Sequence, residues 1–194
     1  MGKIRTWLLY LVFGLMAGFL VSNVSNGRLS YFGRVVSDQV SQIPTPAVYS
    51  PERLIVDKLG INSAVERVGL TDTEAMDVPA ERDNVAWYML GSKPGELGSA
   101  VIAGHYDWYD GPAIFFGLDQ LQAGDVIEIL DDRGHLKKFL VTETALYNNE
   151  EFPLEMVFGR SDKVRLNLIT CDGVFDQATN SYNKKLVIFS EAIE

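Results

Sequence analysis

The sequence predicts an all-β domain, a barrel or a sandwich, tethered behind one N-terminal membrane helix. From Pro51 onward, short β-prone runs recur between clusters of turn residues. Only two brief stretches of that region look helical, and one long uncharged apolar run lies near the N terminus. The chain has 194 residues, 47% of them apolar, which accommodates one cored domain and a short appendage. That composition, with a single cysteine, excludes both a disordered chain and a disulfide-stapled miniprotein.

The N-terminal element is justified by length and flanks. Trp7 to Val21 is apolar apart from its glycines, and no charge falls between Arg5 and Arg28. Its widest extent, Ile4 to Val24, reaches the ~20 residues that a bilayer core requires. Lys3 and Arg5 precede it and Trp7 and Tyr10 sit at interfacial positions, the pattern of a helix whose N terminus stays in the cytoplasm. A cleaved signal peptide would have a shorter apolar core and a small-x-small site, which Ser22 to Gly27 does not supply. Residues 1–25 are therefore expected to be an uncleaved transmembrane signal-anchor and residues 26–50 an extracellular linker. The linker holds a short amphipathic stretch, Tyr31 to Val40, and ends in Ile43-Pro44-Thr45-Pro46.

Residues 51–194 form the folded domain. Arg53 to Val56 and Ile61 to Val68 are strands split by Gly60, and Val101-Ile102-Ala103 is an apolar strand between glycines. Val126 to Leu130 ends at the turn Asp131-Asp132-Arg133-Gly134, beyond which Leu136 to Tyr147 returns as its hairpin partner. Val164 to Thr170 and Leu186 to Phe189 complete the set, and Pro112 to Leu121 and Pro153 to Phe158 are the helical turns. Many short strands at such spacing make a barrel or sandwich.

Charge narrows the function. Residues 1–50 carry four basic side chains against Asp38, a net +3, so the remainder of a chain at −9 carries −12. Nucleic-acid binding without a basic face is excluded. One cysteine and two histidines cannot furnish a zinc-finger, iron–sulfur or poly-histidine site, and no cofactor is expected. Cys171 follows the strand Arg165 to Thr170 and precedes Asp172-Gly173, which presents it at the rim of a sheet. Thiolate is the most nucleophilic form any uncatalysed side chain offers at neutral pH, and a neighbouring base or cation raises its fraction. His105 likewise ends an apolar strand and opens the aromatic loop Tyr106-Asp107-Trp108-Tyr109, where it can exchange protons with a thiol and a leaving amine. His135 lies in a charged turn and has no role.

A cysteine and a histidine alone are a weak signal; the residues around them are more specific. Asn167-Leu168-Ile169-Thr170-Cys171 resembles the TLxTC signature of the sortases, with Asn167 in place of the first threonine. Val101 to His105 resembles the strand leading to the sortase histidine, and Gly111 to Asp119, then Leu121 and Gly124-Asp125, resemble the stretch after it. Asp77-Val78-Pro79, Val85 to Tyr88 and Lys93-Pro94-Gly95 also fit, and Phe175 to Thr179 is most similar to the class F and related actinobacterial-type members. The resemblance spans about residues 51–194.

It implies an eight-stranded sortase-type β-barrel and a thiol transpeptidase. Cys171 would attack the threonine carbonyl of an LPxTG-like sorting signal, His105 would protonate the departing amine, and a peptidoglycan or pilin amine would resolve the thioester. Thr170 would serve the oxyanion from its hydroxyl or backbone. The family's third residue is an arginine at the start of the last strand, where this chain reads Tyr182-Asn183-Lys184-Lys185-Leu186. Matching different classes places Asn183, Lys184 or Lys185 there, and Lys184 is taken for the role. Arg165, on the same strand face as Cys171 by alternation, is a more remote substitute. Some sortases bind calcium, but no loop here has calcium-ligand spacing. Two other readings follow: a sortase-fold binding protein with little turnover, for want of the arginine, or a cell-wall L,D-transpeptidase, whose longer glycine- and serine-rich cysteine motif is absent.

Overall fold

The computed structural model describes residues 47–178 and 181–193. The expected membrane segment, and all but the last four residues of the expected linker, lie outside the described residues. Among the described residues no helix is long and apolar enough to cross a membrane.

Ten strands follow one another along the domain: β1 (Pro51–Val56), β2 (Ile61–Val68), β3 (Val85–Tyr88), β4 (Gly98–Gly104), β5 (Asp107–Trp108), β6 (Gly111–Pro112), β7 (Val126–Asp131), β8 (Leu136–Asn148), β9 (Val164–Asp176) and β10 (Ser181–Ile193). Eight of them close into a barrel in the order β1-β2-β3-β4-β9-β10-β8-β7, with β7 pairing back onto β1, while β5 and β6 make a separate small ribbon. Closure removes exposed edges. Most neighbours are antiparallel; β2 with β3 and β4 with β9 are parallel. The β1–β2 reversal uses a 3-10 turn, Asp57–Leu59, and Gly60 at φ +66°, a left-handed conformation that glycine adopts without a Cβ penalty.

Alternation along β4, β9 and β10 buries both faces of this part of the barrel. Ile102, Leu166, Leu168, Leu186 and Ile188 point into the barrel against Leu54, Phe115, Ile127 and Phe139. Val101, Ile169, Val187 and Phe189 point outward and pack under Val157 of a short helix, α1 (Leu154–Phe158). Each such side chain contributes about 1.5–3 kcal/mol when fully buried. Strands covered on both sides read as continuous apolar runs rather than alternating ones, as Leu186 to Phe189 does. Asn167, fully buried on the outward face, donates its amide to the Val157 carbonyl at 2.7 Å and fastens α1 to β9.

Three sequence expectations are corrected. β3, with Trp87 in its middle, is a barrel strand that the strand pattern alone omits. The helical turn expected over Pro112 to Leu121 is confined to a 3-10 turn, Leu118–Gln120. The strand expected to end at Thr170 continues to Asp176, because Ser181 to Lys185 pairs with it across the hairpin. Cys171 is therefore a residue within a paired strand, not one just past its end.

The β7–β8 turn is held by Asp131, which is almost fully buried. Its Oδ1 accepts the backbone N–H of Arg133 and of His135, each at 2.9 Å, and the His135 ring meets its other oxygen at 3.1 Å. Burial alone would push this carboxyl up, but those donors hold it below the usual aspartate range. The depressed value means that the stabilisation is complete above about pH 4 and is lost as the solution becomes more acidic. Asp131→Ala is expected to cost about 1.5–3 kcal/mol in urea unfolding at pH 7, and less as the pH falls below 4.

Candidate active site

The parallel pairing of β4 with β9 brings distant residues together. Ala103 lies beside Ile169 in that ladder, so His105 and Cys171, each two residues further, leave adjacent strands at one height. Neighbouring strands lie roughly 5 Å apart. Alternation puts both on the outward face. Gly104 between them is required by packing, since a Cβ there would sit 2.5 Å from the Phe115 ring. Thr170 Oγ1 donates to the Gly104 carbonyl at 2.9 Å and locks the two strand ends together. Its hydroxyl proton is thus engaged in that bond.

His105 Nε2 lies 2.8 Å from the Pro79 carbonyl. A carbonyl only accepts, so Nε2 carries the hydrogen and the neutral ring keeps its free lone pair on Nδ1. Trp108 packs its ring edgewise on His105 at 4.8 Å between centroids, while Tyr109 is 92% exposed with its ring 5.8 Å from that of Trp108.

Cys171 is a half-buried free thiol. Across the β9–β10 ladder its direct partner is Lys185, and Lys184 is opposite Asp172. Directly opposed residues share a face, so Lys185 stands on the thiol's side of the sheet and Lys184 on the other. This register continues unbroken from Leu186 opposite Thr170, and shifts only beyond Lys184, toward Tyr182. Cys171 and Lys185, with Glu74 and Asp77, line a groove of about 350 Å³ whose other walls are mainly apolar, among them Met76, Val78, Tyr88, Leu154, Phe158 and Ile169. Arg165 is six residues from Cys171, about 20 Å along a strand, and faces Glu191 at 3.6 Å. That distance removes it from the site. Asn183 accepts the Val174 N–H within the hairpin.

A second aromatic cluster ties the histidine loop to the cysteine hairpin. Tyr182 packs against Tyr106 and Phe175, with ring centroids 5.6 and 5.2 Å away, and its hydroxyl donates to Asp107 at 2.5 Å. That hydrogen bond, then burial and the Asp107 charge, push the Tyr182 hydroxyl up to about 12. The raised value fixes the sign: the tie is complete below about pH 10, where an unfolded tyrosine is still protonated, and is lost as pH climbs toward 12. Melting curves are expected to show a wild-type advantage over Tyr182→Phe that is constant up to pH 10 and then disappears.

Sequence reasoning found Cys171, His105 and Thr170, which the fold brings together. The apolar walls, Tyr182 and the hold of Asn167 on α1 were not among its residues, and of its lysines Lys184 lies opposite Asp172 and Lys185 opposite Cys171. Strand alternation counted backward from Leu186 would have separated the two lysines. Among the described residues no group of three or more His, Cys, Asp or Glu is placed to hold a metal ion.

The family model of the sortase domain matches residues 54–193. Solved structures share the fold at low identity. Sortase A from Corynebacterium diphtheriae (a lid mutant) is 18% identical, with a TM-score of 0.57 over 78% of this chain and 74% of that one. A Clostridium perfringens sortase D5 transpeptidase is 17% identical, TM-score 0.55, over 81% and 86%. Listeria monocytogenes sortase A is 19% identical, TM-score 0.56, over 76% and 89%. A search of curated proteins finds no match. The thiol, the imidazole and the barrel that pairs them stand within the matched span, and the chain belongs to the sortase family of cysteine transpeptidases.

Proposed function

We propose that this sortase cleaves an LPxTG-like sorting signal and transfers the protein that carries it to a cell-wall or pilin amine. The observation that carries the proposal is the mainly apolar groove that Cys171 and Lys185 line, with His105 just past the end of the adjoining strand. An apolar stretch of peptide fits the walls, and its scissile carbonyl comes to the thiol. The Cys171 thiolate adds to the threonine carbonyl, and the C–N bond breaks as Nδ1–H of the His105 imidazolium protonates the leaving amine. The acceptor amine then attacks the thioester, gives its proton to Nδ1, and releases the thiolate. An amine wins over water when the site positions it and excludes solvent.

Lys185 is the residue we assign to the arginine's place, with Lys184 as the alternative. An ammonium opposite the thiol favours the thiolate and the developing oxyanion, although it lacks the planar fork of arginine. The chemistry needs no cofactor. Residues 1–25 would anchor the enzyme with its N terminus in the cytoplasm and the domain outside, and the likeness of Phe175 to Thr179 supports a class F-like kinship. The replacement of arginine by lysine also favours a second reading, a binding protein that captures sorting signals with little turnover.

The test is to incubate the full chain with an LPxTG-type peptide and a glycine-based amine, following intact-protein and product masses. A thioester adduct and an amine-exchanged peptide are expected. Their absence across a panel of sorting motifs would move the binding reading to the front.

A further inference from the structure

We infer that Glu66 is a positioning residue for His105, acting through the Pro79–Ala80 peptide group. Glu66 belongs to β2, and its Oε2 accepts the backbone N–H of Ala80 at 2.8 Å while Oε1 accepts the Asn84 amide at 2.8 Å. The carbonyl of that same peptide group, on Pro79, accepts Nε2–H of His105 at 2.8 Å. No cis peptide bond occurs among the described residues, so this N–H and C=O point in opposite directions. Carboxylate, peptide group and imidazole thus form one line of hydrogen bonds. A negative charge on the N–H side polarises the amide and makes its carbonyl a stronger acceptor, since hydrogen bonds in series reinforce one another.

The consequence for the ring is specific. A stronger carbonyl acceptor keeps the hydrogen on Nε2 and leaves Nδ1 as the nitrogen that moves protons. It also stabilises the imidazolium, whose Nε2–H is the better donor. The arrangement does through a peptide bond what a direct carboxylate partner does for a catalytic histidine. Burial works to raise the Glu66 carboxyl, but the Ala80 and Glu81 backbone, the Asn84 amide and the charge of His105 together hold it below the ordinary value, so it is ionised at neutral pH. A purely mechanical tether for this segment exists elsewhere: Ser63 Oγ donates to the Asp83 carbonyl at 2.9 Å. Glu66 is distinguished from Ser63 by its charge and by its place in line with the ring.

The inference rests on His105 moving protons in the proposed reaction, and the test separates the two. In the full chain, ring 15N spectra of neutral His105 are expected to show the Nε2–H form; a ring protonated on Nδ1 alone would overturn the inference whatever the variants do. Glu66→Gln keeps the size and removes the charge. It is expected to mix the two ring forms and to lower kcat about tenfold, a fraction of the ~10²–10⁴ that proton transfer contributes, with KM within about twofold. Ser63→Ala is expected to leave kcat and the ring form unchanged. Equal losses in both variants, or wild-type kcat and ring signals in Glu66→Gln, overturn the inference. Full activity in His105→Ala would instead overturn the proposed reaction, while the ring spectra still decide whether Glu66 holds the tautomer.

Discussion

Replacing Cys171 by alanine is expected to abolish both the thioester adduct and amine exchange, a loss on the order of 10³-fold or more in kcat, because no other group can carry the acyl chain. The substitution should leave the fold intact. Cys171 is half-buried, at the outer face of a strand whose neighbours Ile169 and Thr170 are held by the ladder and by the Gly104 carbonyl. Removing one sulfur from such a place changes stability by no more than about 1 kcal/mol. Peptide affinity should persist, since the groove walls from Met76 to Phe158 are untouched. Intact mass, peptide binding and urea unfolding, measured together, check all three statements. A variant that still forms an acyl adduct would remove Cys171 from the reaction.

Lys185→Ala is expected to lower kcat by about 10²–10³-fold, the usual cost of removing one donor from a developing oxyanion, with Lys184→Ala within about twofold of wild type. The two lysines are adjacent in sequence but opposite in orientation: one faces the thiol across the ladder and the other faces Asp172. Lys185→Arg should retain activity to within about tenfold, because the charge stays. Single-turnover acylation of the three variants against wild type measures this. A larger loss for Lys184→Ala than for Lys185→Ala would return the role to Lys184.

The lysine pair also shows how far the amino-acid sequence can be read. Composition and strand patterning reached the all-β class, and the boundaries of β2 and of the β7–β8 hairpin were plain because apolar runs there end at Gly60, Gly69 and the Asp131 turn. β3 was hidden by its length of four residues. The start of β10 was hidden by polarity: Ser181 to Lys185 has no apolar alternation, and it is a strand only because β9 and β8 pair with it. Facing follows from alternation once the strand is known to run through Lys184 and Lys185, so that Lys185 faces oppositely to Leu186. That the strand extends back so far is a property of the hairpin in three dimensions. The Glu66 relay was illegible for another reason: its middle member is a backbone peptide group, which no residue type announces.

The parallel contact between β4 and β9 gives the molecule a particular order of events. Residues 51–104 and 126–193 each pair largely among themselves, and the two groups meet along β4 with β9 and along β1 with β7. The imidazole, on the residue just past the end of β4, adjoins the first half, the thiol and Lys185 belong to the second, and the Thr170–Gly104 bond between them crosses 66 residues of chain. Contacts of that sequence span are slow to form, because closing the intervening loop costs entropy before the contact offsets it. A chain in which β4 and β9 are not yet paired holds Cys171 without His105 beside it. If the proposed chemistry holds, a chain that has not closed this seam has no reactive pair, so activity reports closure of the barrel at β4 and β9.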